Sequence, residues 1–288
     1  MGSAVWKKTN QVVEVVENRI GHFQFLSGNT LKIIAVFAMV IDHICKILLQ
    51  WLLSNYWGPM ISQGQLTFEQ FQQIDSFIRF DLQSVGTIAF PLFCYLLSEG
   101  FRYTKNRKRY IGSMFLFALI SEIPFDIGFF AEYAQKAGTF PCYLKYQNVF
   151  FTLFLGLLTL TGFEKLSAKS EKRIEKVKSA VLQVVCVVVF SLLAELIHCD
   201  YGMQGILFIT AFYIGRKHRL FQILLFLLAY VGTTGDQLTL PILLACLLLL
   251  LYNGKRGRLH FKYFFYIFYP THILILYLIQ IALKEYLL

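Results

Sequence analysis

Charge is what this chain has least of. Only 15% of its 288 residues are Asp, Glu, Lys or Arg, while 57% are hydrophobic. A soluble domain carries about a quarter charged residues, so the shortage excludes that class and points to a polytopic membrane protein with a single membrane domain. Acidic residues are scarcer than basic ones, giving a net charge of +10. The cations do not form a nucleic-acid surface, because they cluster in short connections between apolar runs, as retention of Lys and Arg on the cytoplasmic side requires. The six prolines form no Pro-rich linker, and no internal repeat is visible. No Cys-x-x-Cys pair occurs, so neither a redox nor a metal site has support. Cys142 and Cys199 remain open as an outer-face disulfide. No phosphate loop, Gly-rich dinucleotide turn, His-Glu-x-x-His or Gly-x-Ser-x-Gly is present, which removes the usual support for ATP-driven transport and zinc proteolysis. Residues 1–29 hold no apolar core of a secretory signal.

What the chain does have is nine apolar runs, near 30–53, 83–101, 110–131, 147–163, 178–199, 202–215, 219–233, 238–252 and 263–283. A spanning helix needs about 20 residues. Five runs reach that length, and the three between 202 and 252 are short enough to be tilted, or to include a re-entrant pair. Loop charge supports counting every run as a crossing: with the N-terminus inside, 21 of the 27 Lys and Arg fall in cytoplasmic segments, as the positive-inside rule demands. The expected fold is an all-α polytopic helical bundle of about nine transmembrane helices with a cytoplasmic N-terminus. Residues 1–29 read as a cytoplasmic amphipathic segment able to lie in the interface, and 30–288 as the membrane domain. Ser27-Gly28-Asn29-Thr30 supplies capping residues for the first span, and membrane lipid is the surrounding partner. The loop 54–82 carries Phe68, Phe71, Ile74 and Ile78 at helical spacing, the pattern of an outer interfacial helix.

Lys32 and His43 lie eleven residues apart in the first run. Eleven steps of about 100° return them to one helix face, roughly 16 Å apart along the axis. Lys32 falls at the cytoplasmic interface and His43 near mid-depth, beside Asp42. Ionisable residues at that depth are costly to insert, which makes function the default reading. His272, about 14 Å into the last outward span, reaches a similar level and follows Tyr269-Pro270-Thr271. Histidine exchanges protons near neutral pH and suits general-base work. The plain alternative is a packing histidine bonded to a neighbouring backbone, with Tyr269–His272 a simple kink.

Glu99, near the cytoplasmic end of the second span, offers Lys32 an ion-pair partner. The other use for Lys32, with Arg102, Lys105, Arg107, Lys108 and Arg109, is to receive a phosphorylated donor from the cytosol, although topogenic charge alone also explains the loop. Ser121, Glu122 and Asp126 flank Pro124 toward the outer end of the third span. Asn148 opens the fourth, and Asp200-Tyr201 follows the fifth. These groups, with Glu99, could line an outward-facing acceptor pocket, or merely cap helices and satisfy a kink.

The blocks LKIIAVFAMVIDH, FPLFCYLLSEGFRYTKNRKRY, LISEIPFD, NVFFTLFLGLL, DYGMQGILF and FYIFYPTH, in this order over about 30–280, resemble the TraX family of membrane proteins. That family's name comes from a conjugation protein that acetylates pilin at its N-terminus. Lys32-x10-His43 also resembles the basic-x10-His motif of the broader transmembrane acyltransferases, the acyltransferase-3 and heparan glucosaminide acetyltransferase-like proteins, although acyltransferase-3 proteins usually have Arg where this chain has Lys32. The resemblance implies a membrane acyltransferase in a bacterial cytoplasmic membrane. It implies acetyl-CoA or another acyl-CoA as co-substrate at Lys32, Arg102, Lys105, Arg107 and Tyr110, with no metal. His43 becomes the base, with Asp42, Tyr269 or His272 orienting it or stabilising an oxyanion. The acceptor, a protein N-terminus, peptide or glycan, arrives from the other side, and a homodimer stays open. Two other readings stand beside it: a proton-coupled transporter using His43, Asp42 and Asp126, and a non-catalytic subunit for pilus or envelope assembly.

Overall fold

The structure, a computed structural model, describes residues 21–167, 172–235, 237–258 and 263–287. The amphipathic reading of residues 1–20 and the connection at Asp236 lie outside the described residues. The described chain forms nine helices: α1 Gly28–Ser62, α2 Phe68–Tyr103, α3 Arg107–Lys136, α4 Val149–Lys165, α5 Arg173–Leu196, α6 Gly202–Ile214, α7 Arg219–Thr234, α8 Leu240–Leu250 and α9 Phe264–Leu287. Among the described residues the only extended pairings are two isolated bridges, Leu26 with Tyr252 and Gln147 with Cys199. Each apolar run of the sequence became one helix, and five of the nine are long and apolar enough to cross a membrane. The protein is an all-α, polytopic helical bundle.

α1 begins as the capping residues dictate. The Ser27 hydroxyl accepts from the Thr30 amide at 3.2 Å, satisfying one of the helix's unbonded N–H groups. α1 and α2 are longer than their apolar runs because residues 54–82 are not an open loop. α1 continues through two π-helical stretches, Ile44–Leu49 and Leu53–Trp57. α2 starts at a capping box made by Thr67 and Gln70. One face of residues 68–82 packs on α1: Ile78 is buried with Cys45 and Leu53, and Phe71 and Ile74 pack against that cluster. Phe68 stays exposed.

The short runs are explained by enclosure. α6 has 13 residues, about 20 Å, and nine of them are buried, from Gly202 to Tyr213. α2, α4, α5 and α7 surround it. Lipid hardly touches it, so it need not match the bilayer thickness. Close approach depends on small residues, as is usual for helices packing in lipid: a Cβ at Gly156 would collide with Ile209, and one at Gly205 with Thr152. α9 packs along α3 and against the first π-helical stretch of α1.

The connections gather at two ends. At one, Arg102 reaches the Arg216 carbonyl at 3.4 Å, Arg109 bonds Tyr263 at 3.1 Å, and Gly28 bonds the Lys255 carbonyl at 2.8 Å. The positive-inside rule assigns this basic end to the cytoplasm. At the other, Gln147 joins the strap after α5, its amide donating to the His198 carbonyl and its carbonyl accepting from Asp200 N.

Candidate functional site

His43 and His272 meet. His43 Nδ1 lies 2.7 Å from His272 Nε2, and the two rings are within 9° of coplanar, so one hydrogen bond joins them edge to edge. His272 Nδ1 is 2.8 Å from the Phe268 carbonyl, one turn back on α9. These partners fix the protons. A carbonyl only accepts, so His272 Nδ1 carries the hydrogen. Neutral His272 then accepts at Nε2, and His43 must donate from Nδ1. The lone pair of His43 is left at Nε2. Both rings are buried, at 9% and 7% exposure, and Phe129 holds the His43 ring edge-on at 5.1 Å.

His43 lines a cavity of about 230 Å³ with Asp42, Lys46, Asp200, Tyr201 and Tyr269. Its apolar wall comes from Phe90, Phe93, Phe125, Phe129 and Phe130. Asp42 Oδ2 stands 4.0 Å from His43 Nε2 and 2.7 Å from Lys46 Nζ. α2 comes close at this point because it has no side chain there: a Cβ at Gly86 would collide with Asp42. Val149, at the start of α4, lines the same cavity.

Asp200 and Tyr201 arrive on the strap between α5 and α6, where His198 and Tyr201 take left-handed backbone angles, φ 52° and 64°. Such angles in non-glycine residues cost of order 1–3 kcal/mol and persist where the surroundings enforce them. Here Glu195 accepts from Met203 N at 2.7 Å, Thr152 donates to the Asp200 carbonyl, and Tyr201 stacks on Phe90. Burial pushes the Asp200 carboxyl up to about 6, against the opposing pull of Lys46 and with a further push from Asp42. A second cavity of about 340 Å³ shares Tyr146, Asp200 and Tyr201 with the first and adds Glu195, His198, Gln204 and Thr233. The strap thus stands between the His43 cavity and the outer end.

Of the residues read as an acceptor pocket, only Asp200 and Tyr201 line the His43 cavity. Asp126 accepts from Tyr143 N at 2.7 Å. Asn148 caps α4 through Phe150 N and bonds Glu122, and Ser121 is buried. Glu99 is at the basic end, 3.8 Å from Arg102. It takes no part in the cavity and is not paired with Lys32, which lies 5.3 Å over the Phe265 ring.

The basic end is less open to a ligand than its sequence suggests. Arg107 is held by Glu164, which also receives the Tyr213 hydroxyl, and the Tyr110 hydroxyl is packed against Gly100. The first amides of α1 are taken by the chain itself: Gly28 by Lys255 O, Asn29 by Arg256 O and Leu31 by Ser27 O. Lys32, Arg102 and Lys105 remain as cations facing outward or half-buried. Among the described residues no three His, Cys, Asp or Glu side chains are grouped to hold a metal.

Lys46 was not singled out in the sequence, although the signal was there: Asp42-x3-Lys46 is an i,i+4 charge pair inside an apolar run. The π-helical turn and Gly86 carried no readable signal.

The TraX protein family matches residues 27–280. A relative in Dichelobacter nodosus, the "Probable fimbrial assembly protein FimC, serogroup H1", is 28% identical over 268 residues, 87% of this chain and 94% of that protein. No solved structure matches. With its apolar helices, this likeness makes the protein a multi-pass bacterial membrane protein. The match runs through nearly the whole bundle, from the cap of α1 to the last turns of α9, and the chain belongs to the TraX family.

Proposed function

We propose that this protein serves pilus or fimbrial assembly from within the membrane, and that it does so chemically, by transferring an acyl group from a cytoplasmic acyl-CoA to a hydroxyl or amine acceptor. The assembly role draws on family membership and on the name of the D. nodosus relative. The chemical role rests on one observation, the 2.7 Å bond between His43 and His272, which leaves an unprotonated nitrogen at a cavity.

The sequence of events follows from that tautomer. An acceptor X–H gives its proton to His43 Nε2 as X attacks the thioester carbonyl. His272 keeps the imidazole oriented through Nδ1, and Asp42, 4.0 Å from Nε2, favours the imidazolium once it forms. Collapse breaks the carbon–sulfur bond, and the thiolate takes the proton back from Nε2. The cavity is smaller than the roughly 300–1,000 Å³ of sites that enclose a whole ligand. It suits the thioester end, with the nucleotide left at the basic end near Lys32, Arg102 and Lys105. The extended pantetheine arm matches the roughly 16 Å from Lys32 to His43.

The test is CoA release from acetyl-CoA by purified protein given fimbrial-subunit, peptide and glycan acceptors. Wild type should release CoA, and His43→Ala should lower kcat by about 10²–10⁴-fold. Acyl-CoA binding and CoA release both absent from wild type across those acceptors would sink the chemical reading. The relative's name equally fits a non-catalytic assembly subunit, which requires His43→Ala cells to assemble fimbriae normally.

A further inference from the structure

We propose that Lys46 is a catalytic residue whose ammonium meets the negative charge that develops on the thioester oxygen in the His43 cavity. The inference rests on the acyl-transfer reading. A tetrahedral oxyanion needs donors aimed at it in advance. Among the described residues that line the cavity, Lys46 is the one with a permanent positive charge.

Its placement is constrained on both sides. Lys46 lies in the π-helical stretch Ile44–Leu49 directly after His43, and π-helical turns recur at functional sites. Gln280 of α9 fastens that turn by donating to the Ile47 carbonyl at 3.2 Å. Asp42 takes one of the three Nζ hydrogens at 2.7 Å, leaving two, and the side chain is 37% exposed. Asp42 therefore holds the ammonium one turn from the base. As the acceptor attacks, the carbonyl π pair moves onto oxygen beside Lys46, and the acceptor proton goes to His43 Nε2. The pair then re-forms the carbonyl, the carbon–sulfur bond breaks, and CoA leaves as thiol with that proton. Lys46 remains protonated throughout.

The experiment is steady-state CoA release with acetyl-CoA and the best wild-type acceptor, comparing Lys46→Met, Lys46→Arg, Asp42→Asn and the double variant Asp42→Asn/Lys46→Met. Lys46→Met should lose about 10²–10³-fold in kcat with the donor KM within about two-fold of wild type. Lys46→Arg should keep part of the rate. The double variant decides between roles. Because Asp42 itself favours the imidazolium, the double variant is read against Asp42→Asn alone. If Lys46 merely neutralises Asp42 the two are equally fast, and that overturns the proposal; a double variant slower than Asp42→Asn by about the Lys46→Met factor supports it. Full kcat in Lys46→Met overturns the proposal while leaving the base assignment intact. A wild type that releases no CoA overturns both.

Discussion

The two ends of the bundle use charge differently. The basic end has most of the cations, and many are tied down. Arg107 is held by Glu164, and Arg219 donates to the Leu249 and Tyr252 carbonyls at 2.6 and 3.3 Å. The half around His43 has few charged groups, yet Asp42, Lys46 and Asp200 face one cavity. In a membrane protein, charge density marks the side, while isolated charges that meet at depth mark a candidate site.

The sharpest way to break that contrast is to change one group at each place. His272→Ala should cost about 10²-fold in kcat and leave donor KM unchanged, because it removes only the orientation of His43. Arg102→Gln with Lys105→Gln should do the reverse, raising donor KM with kcat intact. Steady-state kinetics at varied acetyl-CoA checks both, and equal effects on kcat would erase the distinction.

Packing at the cavity comes next. Gly86→Val forces α2 away from Asp42 and should destabilise the bundle by about 1–3 kcal/mol, read as a lower melting temperature in detergent. The pH profile sharpens the cavity side. The Asp200 carboxyl, raised to about 6, holds its proton more tightly in the folded protein than in the unfolded chain. Its stabilising contribution is therefore full below pH about 4 and is lost as pH rises through about 6. The melting temperature of wild type should fall across that window relative to Asp200→Asn, which lacks the titration; parallel curves would show that the Asp200 carboxyl is not raised. The smallest effect belongs to the basic end: Arg107→Gln should cost under about 1 kcal/mol, since its pair with Glu164 is partly exposed.

Much of this was legible in the residues. Apolar runs and alternating loop charge give nine helices, and helical arithmetic puts His43 and His272 at one depth. Their mutual bond was not readable, because it depends on the rotation of α9 against α1. The site drew on residues that the sequence passed over: Lys46 was overshadowed by the denser Arg102–Arg109 cluster, and Gly86 matters only through what faces it. Ser121, Asp126 and Asn148 are polar residues near an outer helix end, a pattern common to pockets and caps; Asn148 proved to be a cap and Asp126 a loop anchor. Glu99 reads as lying near the cytoplasmic end of its span, and it sits there, 3.8 Å from Arg102 and away from the cavity.

α6 has a consequence for how the protein is made. Its 13 residues fall well short of the hydrocarbon thickness of about 30 Å, so membrane insertion segment by segment leaves it a poor stop on its own. It is a stable crossing with α2, α4, α5 and α7 around it, while the strap carrying Asp200 and Tyr201 is set by Phe90 of α2, Thr152 of α4 and Glu195 of α5. A chain halted before that strap has His43 in the membrane but lacks the wall that Asp200 and Tyr201 give its cavity.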